Sequence, residues 1–80
     1  MPNPSSKRQH KALVALGDAI REARLAQGIS QEKLALLADV DRSYLGRIER
    51  GDNNVATLTL LRIANALDMT MSKLLHRADL

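Results

Sequence analysis

Apolar residues recur at intervals of three and four positions through most of this chain, and several turn-forming stretches interrupt them. The first apolar segment runs from about Lys11 to Gln27 and precedes Gly28, which suits the left-handed C-cap of a helix. The side chains expected to face inward are Leu13, Leu16, Ile20 and Ala23. The pattern therefore predicts one long helix at the start of the folded region.

Two shorter helices are predicted next, joined by a tight turn at residues 39–41. Ser30 and Asp41 precede these helices, and each side chain can cap a helix by accepting a backbone N–H bond. Gly51 suits the end of the second short helix. The buried side of the pair is expected to consist of Leu34, Ala35, Leu37, Ala38, Leu45 and Ile48.

The last third of the chain predicts two further helices, with Thr57 and Thr70 as their expected N-caps. The apolar stripe expected on the fourth helix is Leu58, Leu61, Ala64 and Leu67, widened by Leu60 and Ile63. No segment is a credible strand. The sequence thus predicts an all-α fold, a compact five-helix bundle with a central helix-turn-helix.

The third helix carries a polar face that folding does not require. At about 100° per residue, five of its residues fall within one sector of about 140° that faces away from the apolar side. This recognition face consists of Arg42, Ser43, Gly46, Arg47 and Arg50. Glycine inside a helix costs roughly 1 kcal/mol relative to alanine, so Gly46 is more readily explained by the close approach of another surface. An ordinary solvated surface remains the alternative for any single arginine.

Arginine and serine are side chains that recognise base edges, and arginine forks onto O6 and N7 of guanine. A helix-turn-helix lays its second helix in the major groove of double-stranded DNA. We therefore predict DNA as the partner, with the base-contacting positions Arg42, Ser43, Gly46 and Arg47. Polar residues on or beside this face are predicted to contact the DNA backbone: Tyr44, Arg50, Asn53 and Asn54.

Four stretches of this sequence together resemble the phage-repressor and Cro type of helix-turn-helix family, whose domain is the lambda-repressor-like bundle. They are IREAR (20–24), GISQEKLA (28–35), DRSYLGRIERG (41–51) and TLLRIANALDM (59–69). The third stretch is most similar to the controller proteins of restriction–modification operons. Asp39 and Asp68 depart from the family pattern, which often has glycine there. We expect both turns to survive because aspartate tolerates the left-handed conformation better than most residues.

The resemblance implies a sequence-specific DNA-binding transcriptional regulator and assigns three more residues. Gln31 matches a family position that contacts a phosphate and braces the recognition helix. Arg24 and Glu49 match the family's ion pair between helices one and three, and two unrelated surface charges are the alternative.

One helix-turn-helix recognises only a few base pairs, so we expect a homodimer on a palindromic operator. The expected dimer interface is a C-terminal apolar cluster, and the alternative is that this cluster completes the core of the monomer. The cluster is Met69, Met71, Leu74 and Leu75.

Charge and length modify this picture only slightly. The 80 residues carry a net charge of +3, which mildly favours a polyanionic partner. Residues 1–10 are predicted to be a flexible basic tail that includes Lys7 and Arg8, and residues 11–80 to be a single helix-turn-helix DNA-binding domain. Contact of this tail with DNA phosphates and simple solvation of the tail are both open.

No arrangement of residues favours catalysis. His10 and His76 are far apart in a chain without cysteine, and Asp39 and Asp41 are explained as a turn residue and an N-cap. We expect no enzyme activity, no metal, no cofactor and no small-molecule ligand. The chain has neither a membrane-length apolar run nor a signal-peptide core, so we expect a cytoplasmic protein without membrane contact. The alternative function is an antitoxin or adaptor-type protein-binding module, which leaves the arginine-bearing face unexplained.

Overall fold

Five helices account for most of residues 10–80, the part of the chain described by the computed structural model. They are α1 (Lys11–Ala26), α2 (Gln31–Ala38), α3 (Arg42–Arg50), α4 (Thr57–Ala66) and α5 (Met71–Arg77). Residues 10–80 contain no strand. The predicted all-α bundle with a central helix-turn-helix, formed by α2 and α3, is confirmed. The expectations for residues 1–9 lie outside the described residues.

Side-chain caps fix where four of the five helices begin. Ser30, Asp41 and Thr70 each accept a hydrogen bond from the amide three residues further on, at 3.0, 3.2 and 3.0 Å. Each such cap is worth about 1 kcal/mol. His10, the last residue of the predicted tail, caps α1 because its Nδ1 accepts a hydrogen bond from the amide of Ala12 at 3.1 Å. The three caps predicted for α2, α3 and α5 are therefore confirmed.

The start of α4 differs from the prediction that Thr57 caps it. Ala56 occupies the N-cap position in an extended conformation, Thr57 is already helical, and no side chain caps this helix. The amide of Leu60 bonds to the carbonyl of Ala56 at 2.9 Å, and the Leu60 side chain is buried. Burial of Leu60, rather than a polar cap, thus sets the register of α4.

Aspartate replaces glycine at two left-handed turns, as expected. Asp39 and Asp68 both have φ near 57°, the region that aspartate enters more readily than most residues. Asp39 follows α2 directly, and its amide donates to the carbonyl of Leu36 at 3.2 Å. The turn between α2 and α3 therefore forms without the glycine common in the family.

The core lies between α1 and α3 on one side and α2 and α4 on the other, and α5 closes one end against α1 and α4. The largest fully buried side chains are Ile20, Leu34, Leu45, Ile48, Ile63, Leu67 and Leu74. All are aliphatic, and every helix contributes to this set or directly precedes a member of it. A core of this kind forms through non-directional hydrophobic burial.

Three leucines expected in the core are exposed instead. Leu37, Leu58 and Leu61 have exposed fractions of 51%, 58% and 39%. Leu60, Ile63, Ala64 and Leu67, the other members of the stripe predicted for α4, are buried. Periodicity alone predicts too wide a stripe here, and packing of α4 against α2 and α5 buries the side that carries Leu60 and Ile63.

Candidate nucleic-acid interface

Close backbone contact between α1 and α3 fixes the position of the recognition helix. A β-carbon on Gly17 would lie 2.6 Å from the carbonyl oxygen of Glu49, and one on Gly51 would lie 2.7 Å from Cα of Val14. Both distances are well below the roughly 3.5–4.0 Å of a favourable carbon contact. Glycine at these two positions therefore lets α3 and its C-terminal turn lie directly against α1.

A buried ion pair adds a directional contact to this interface. Arg24 of α1 donates from Nε and Nη2 to the two carboxylate oxygens of Glu49, at 2.8 and 3.1 Å. Its Nη1 donates to the carbonyl of Ile29 at 2.9 Å. Arg24 and Glu49 are only 8% and 4% exposed, so the pair is a part of the interior and not two separate surface charges.

Gln31, the first residue of α2, completes this network. Its Nε2 donates to Oε1 of Glu49 at 2.9 Å, so Glu49 is held by one side chain from α1 and one from α2. Every buried side-chain nitrogen and oxygen in residues 10–80 has a hydrogen-bond partner. Bidentate geometry and full satisfaction are the conditions under which a buried charge pair is tolerated. The network braces α3 against both neighbouring helices.

The recognition face is uneven in its exposure. Arg42 and Ser43 are exposed at the start of α3, and their side chains make no hydrogen bond or ion pair within the described part of the chain. Arg47 is half-buried, and Arg50 is exposed. The exposed members thus lie at the two ends of the helix, where a partner could contact both ends.

Gly46 is buried, whereas the sequence placed it on the open recognition face. The side chains of Arg50 and Gln31 come close over it, and a β-carbon there would lie 3.5 Å from Nη1 of Arg50 and 3.8 Å from Oε1 of Gln31. These are ordinary contact distances. Unlike Gly17, Gly46 is therefore not required by any contact within residues 10–80.

Two further contacts hold side chains of α3 to each other and to the following loop. The guanidinium of Arg47 lies over the ring of Tyr44, 5.8 Å from its centroid, a cation–π arrangement. The Tyr44 hydroxyl donates to the carbonyl of Asn54 at 3.4 Å. Tyr44 is half-buried, so its predicted contact with the DNA backbone would come from the hydroxyl end.

The loop after α3 also bonds to the last two arginines of that helix, Arg47 and Arg50. Nε of Arg50 donates to Oδ2 of Asp52 at 2.9 Å. The side-chain amide of Asn53 is oriented so that its oxygen and its nitrogen both have partners. The oxygen accepts a hydrogen bond from Nε of Arg47 at 2.9 Å, and the nitrogen donates to the carbonyl of Asp52 at 2.8 Å. Sequence reasoning missed Asp52 and these internal bonds, because Asp and Asn after a helix are also ordinary turn residues.

The C-terminal cluster is only partly available as a dimer interface. Leu74 is fully buried, with no exposed surface, so its assignment to an interface is wrong. It fills the core because it faces α1 and α4 from the centre of α5. Met69, Met71 and Leu75 are half-buried and contact the same core. Each of these three retains some exposed surface, whereas Leu74 retains none.

In residues 10–80, no three His, Cys, Asp or Glu side chains come together as metal ligands would. None of the five helices is both long and apolar enough to cross a membrane.

The fold and the braced, arginine-bearing helix define a helix-turn-helix domain. Residues 20–74, more than half of the chain, match the sequence profile of the helix-turn-helix family. The chain belongs to this family of DNA-binding transcriptional regulators.

Among its relatives, control protein C.SmaI of Serratia marcescens is 38% identical over 65 residues, which cover 81% of this chain and 77% of that protein. The crystal structure of the restriction-modification controller protein C.AhdI from Aeromonas hydrophila is 46% identical with a TM-score of 0.79, covering 81% of this chain and 98% of that one. The clp gene regulator ClgR from C. glutamicum is 31% identical with a TM-score of 0.82, covering 85% and 87%. The predicted resemblance to controller proteins is confirmed.

Proposed function

We propose that this protein is a sequence-specific transcriptional regulator of the restriction–modification controller type, which binds a palindromic operator as a homodimer. The observation that carries the proposal is a recognition helix, α3, whose position is fixed by buried polar contacts while Arg42 and Arg50 at its two ends are exposed. Fixed geometry is what base recognition requires, because hydrogen bonds to base edges depend on position within a few tenths of an ångström. The similarity to C.SmaI and C.AhdI supports the controller type.

Base contacts in this proposal come from the outer side of α3. Arg42 and Ser43 lie at its N-terminal end, the part of a recognition helix that reaches the base edges. Arg47 lies one turn further on, and Gly46 adds no side chain that would hold the DNA away. The proposed contacts to the DNA backbone are Gln31, Tyr44, Arg50 and Asn54. Asn53, which the sequence grouped with them, has its side-chain oxygen on Nε of Arg47 instead.

The proposed homodimer uses what remains of the C-terminal cluster. Met69, Met71 and Leu75 are half-buried, and Leu80 is 58% exposed beside them in sequence. Methionine and leucine adapt readily to a self-complementary apolar surface. In the dimer the two copies of α3 would lie about 34 Å apart, one turn of DNA.

The proposal includes no catalytic step, cofactor or small-molecule ligand, and its DNA partner implies work in the cytoplasm. Its mechanism is binding alone. Phosphate contacts supply affinity that falls with salt, and base contacts supply the preference for one sequence.

The test is selection of binding sites from random duplexes, followed by affinity measurements with variants. Arg42→Ala is expected to cost about 1–3 kcal/mol at the selected operator and to relax preference at one base-pair position in each half-site. Arg21→Ala is the matched control, because it removes the same charge from an exposed, ion-paired position on α1. A wild-type protein that selects no sequence would refute the regulator; an unchanged profile for Arg42→Ala would refute this base assignment.

A further inference from the structure

Three consecutive loop residues each bond to a different side chain of α3. Asp52 accepts from Nε of Arg50 at 2.9 Å, Asn53 accepts from Nε of Arg47 at 2.9 Å, and the carbonyl of Asn54 accepts from the Tyr44 hydroxyl at 3.4 Å. A solvated turn has no need of such contacts. The loop therefore holds three side chains of the recognition helix, α3, in place.

Arg47 is held from two directions, by Asn53 of this loop and by Tyr44 of its own helix. Asn53 accepts from its Nε, and the ring of Tyr44 lies below its guanidinium, 5.8 Å from centroid to Cζ. Arg47 is half-buried as a result. No acceptor for its two terminal Nη nitrogens is found in residues 10–80. The inner donor of the guanidinium is thus occupied, and the outer donors are left for another molecule.

We propose that Asn53 is a positioning residue that orients Arg47 for base recognition, and not a contact to the DNA backbone. This inference rests on the proposed function and deepens it. With Nε occupied, Arg47 can approach guanine only end-on, through its two Nη groups to O6 and N7. Holding the side chain before binding also avoids part of the entropy lost when a flexible arginine is immobilised on DNA.

The two neighbouring asparagines differ in the way this assignment requires. Asn53 is half-buried, with its oxygen on Arg47 and one of its N–H groups on the carbonyl of Asp52. Asn54 is exposed, and its side chain makes no hydrogen bond in the part of the chain that the structure describes. Asn54 is therefore suited to a phosphate, whereas the oxygen of Asn53 is already committed to an arginine.

The test compares Asn53→Ala with Asn54→Ala in operator selection and in affinity. Asn53→Ala is expected to weaken operator binding about tenfold and to flatten preference at the base pair contacted by Arg47. Asn54→Ala should weaken binding to all sequences evenly and leave the selected sequence unchanged. In an Arg47→Ala background, Asn53→Ala should cause no further loss, because the group that it positions is gone.

Asn53→Asp provides a rescue. Its carboxylate keeps an acceptor for Nε of Arg47 but loses the N–H that donates to the carbonyl of Asp52. Base preference should therefore return in part, even though the added negative charge lowers affinity for every duplex. The inference is overturned if Asn53→Ala weakens all sequences evenly and adds in full to Arg47→Ala. That result would make Asn53 a contact to the DNA backbone.

A measurement without DNA separates this inference from the proposed function. In the free protein, the Nε–H of Arg47 should exchange slowly with water and be ordered in NMR relaxation, and Asn53→Ala should abolish both properties. A fast-exchanging, mobile Nε–H in the wild-type protein would overturn the positioning role whether or not the protein binds DNA. A wild-type protein that shows this order but selects no operator would instead refute the regulator.

Discussion

The contact between α1 and α3 and the packing of α4 and α5 hold the molecule together in different ways. Between α1 and α3, backbones touch at Gly17 and Gly51, and a buried carboxylate receives three hydrogen bonds from two side chains. The α4–α5 end relies on aliphatic side chains such as Leu60, Ile63 and Leu74. The α1–α3 region adds directional contacts to apolar packing. The α4–α5 end relies mainly on burial, with one side-chain hydrogen bond from Nε2 of Gln27 to the carbonyl of Leu67 at 2.7 Å.

This difference follows what each region has to do. A recognition helix must keep its angle to the rest of the domain, because a small rotation moves base-contacting side chains out of reach. Bidentate ion pairs and close backbone contacts allow few alternative geometries. Aliphatic packing is non-directional and accepts volume-conserving changes at little cost. The directional contacts are thus concentrated where, in the proposed function, the orientation of α3 controls DNA binding.

The most direct test of this difference between the two regions removes one directional contact and, separately, one buried aliphatic side chain. Arg24→Ala should lower the free energy of unfolding by about 3–5 kcal/mol, because it leaves the buried carboxylate of Glu49 without its cation. Leu74→Ala should cost a similar amount, about 2–5 kcal/mol, through lost burial and a cavity. Chemical denaturation measures both. Operator affinity of the remaining folded protein should fall for Arg24→Ala and stay near wild type for Leu74→Ala.

The ion pair has its own control in a double-mutant cycle. Replacing Arg24 and Glu49 together by alanine should cost less than the two single losses added, since neither charge is then left alone. A coupling below about 0.5 kcal/mol would show that the pair contributes nothing specific. Equal loss of operator affinity in Arg24→Ala and Leu74→Ala would show that the directional contacts matter no more to DNA binding than aliphatic burial does.

Alanine substitutions at two helical glycines are expected to change stability by smaller amounts and in opposite directions. Gly17→Ala should destabilise the protein by about 1–3 kcal/mol, since the new methyl group meets the backbone carbonyls at the end of α3. Gly46→Ala should raise stability by up to about 1 kcal/mol, because its β-carbon has room beside Arg50 and alanine is the better helix former. Thermal unfolding measures both, and a stabilised Gly17→Ala would contradict the close contact of α1 with α3.

The features that the sequence predicted well have a local or chemical signature. Ser30, Asp41 and Thr70 are cap residues at fixed distances from apolar runs, and all three cap the helices expected of them. Asp39 adopts the left-handed turn for a reason that belongs to the residue itself. The all-α fold followed from turns and periodicity, which agree on the same five segments. The family followed from the resemblance of four stretches of the sequence to known members.

The wrong predictions concern apolar residues whose environment is set by distant elements. Leu58 and Leu61 match helical periodicity as well as Leu60 and Ile63 do, so only the docking of α4 decides which set is buried. Leu74 was assigned to an interface for the same reason. The bond from Arg47 to Asn53 could not be predicted from the pattern either, because the two residues are six positions apart and only the turn after α3 brings them together.

The last test concerns apolar residues of the α4–α5 end that are not fully buried. Leu75→Glu is expected to shift the proposed dimer to folded monomers that bind operator weakly, because a charge at a half-buried apolar site opposes self-association. Leu36→Glu is the matched control on α2, where the leucine is 74% exposed. Sedimentation measures the association state, and unfolding should differ from wild type by about 0.5 kcal/mol or less for the control. An unaltered dimer for Leu75→Glu would place the interface elsewhere, and the exposed Leu58 of α4 would then be the position to substitute next. A monomeric wild-type protein at high micromolar concentration would instead remove the dimer from the proposed mechanism.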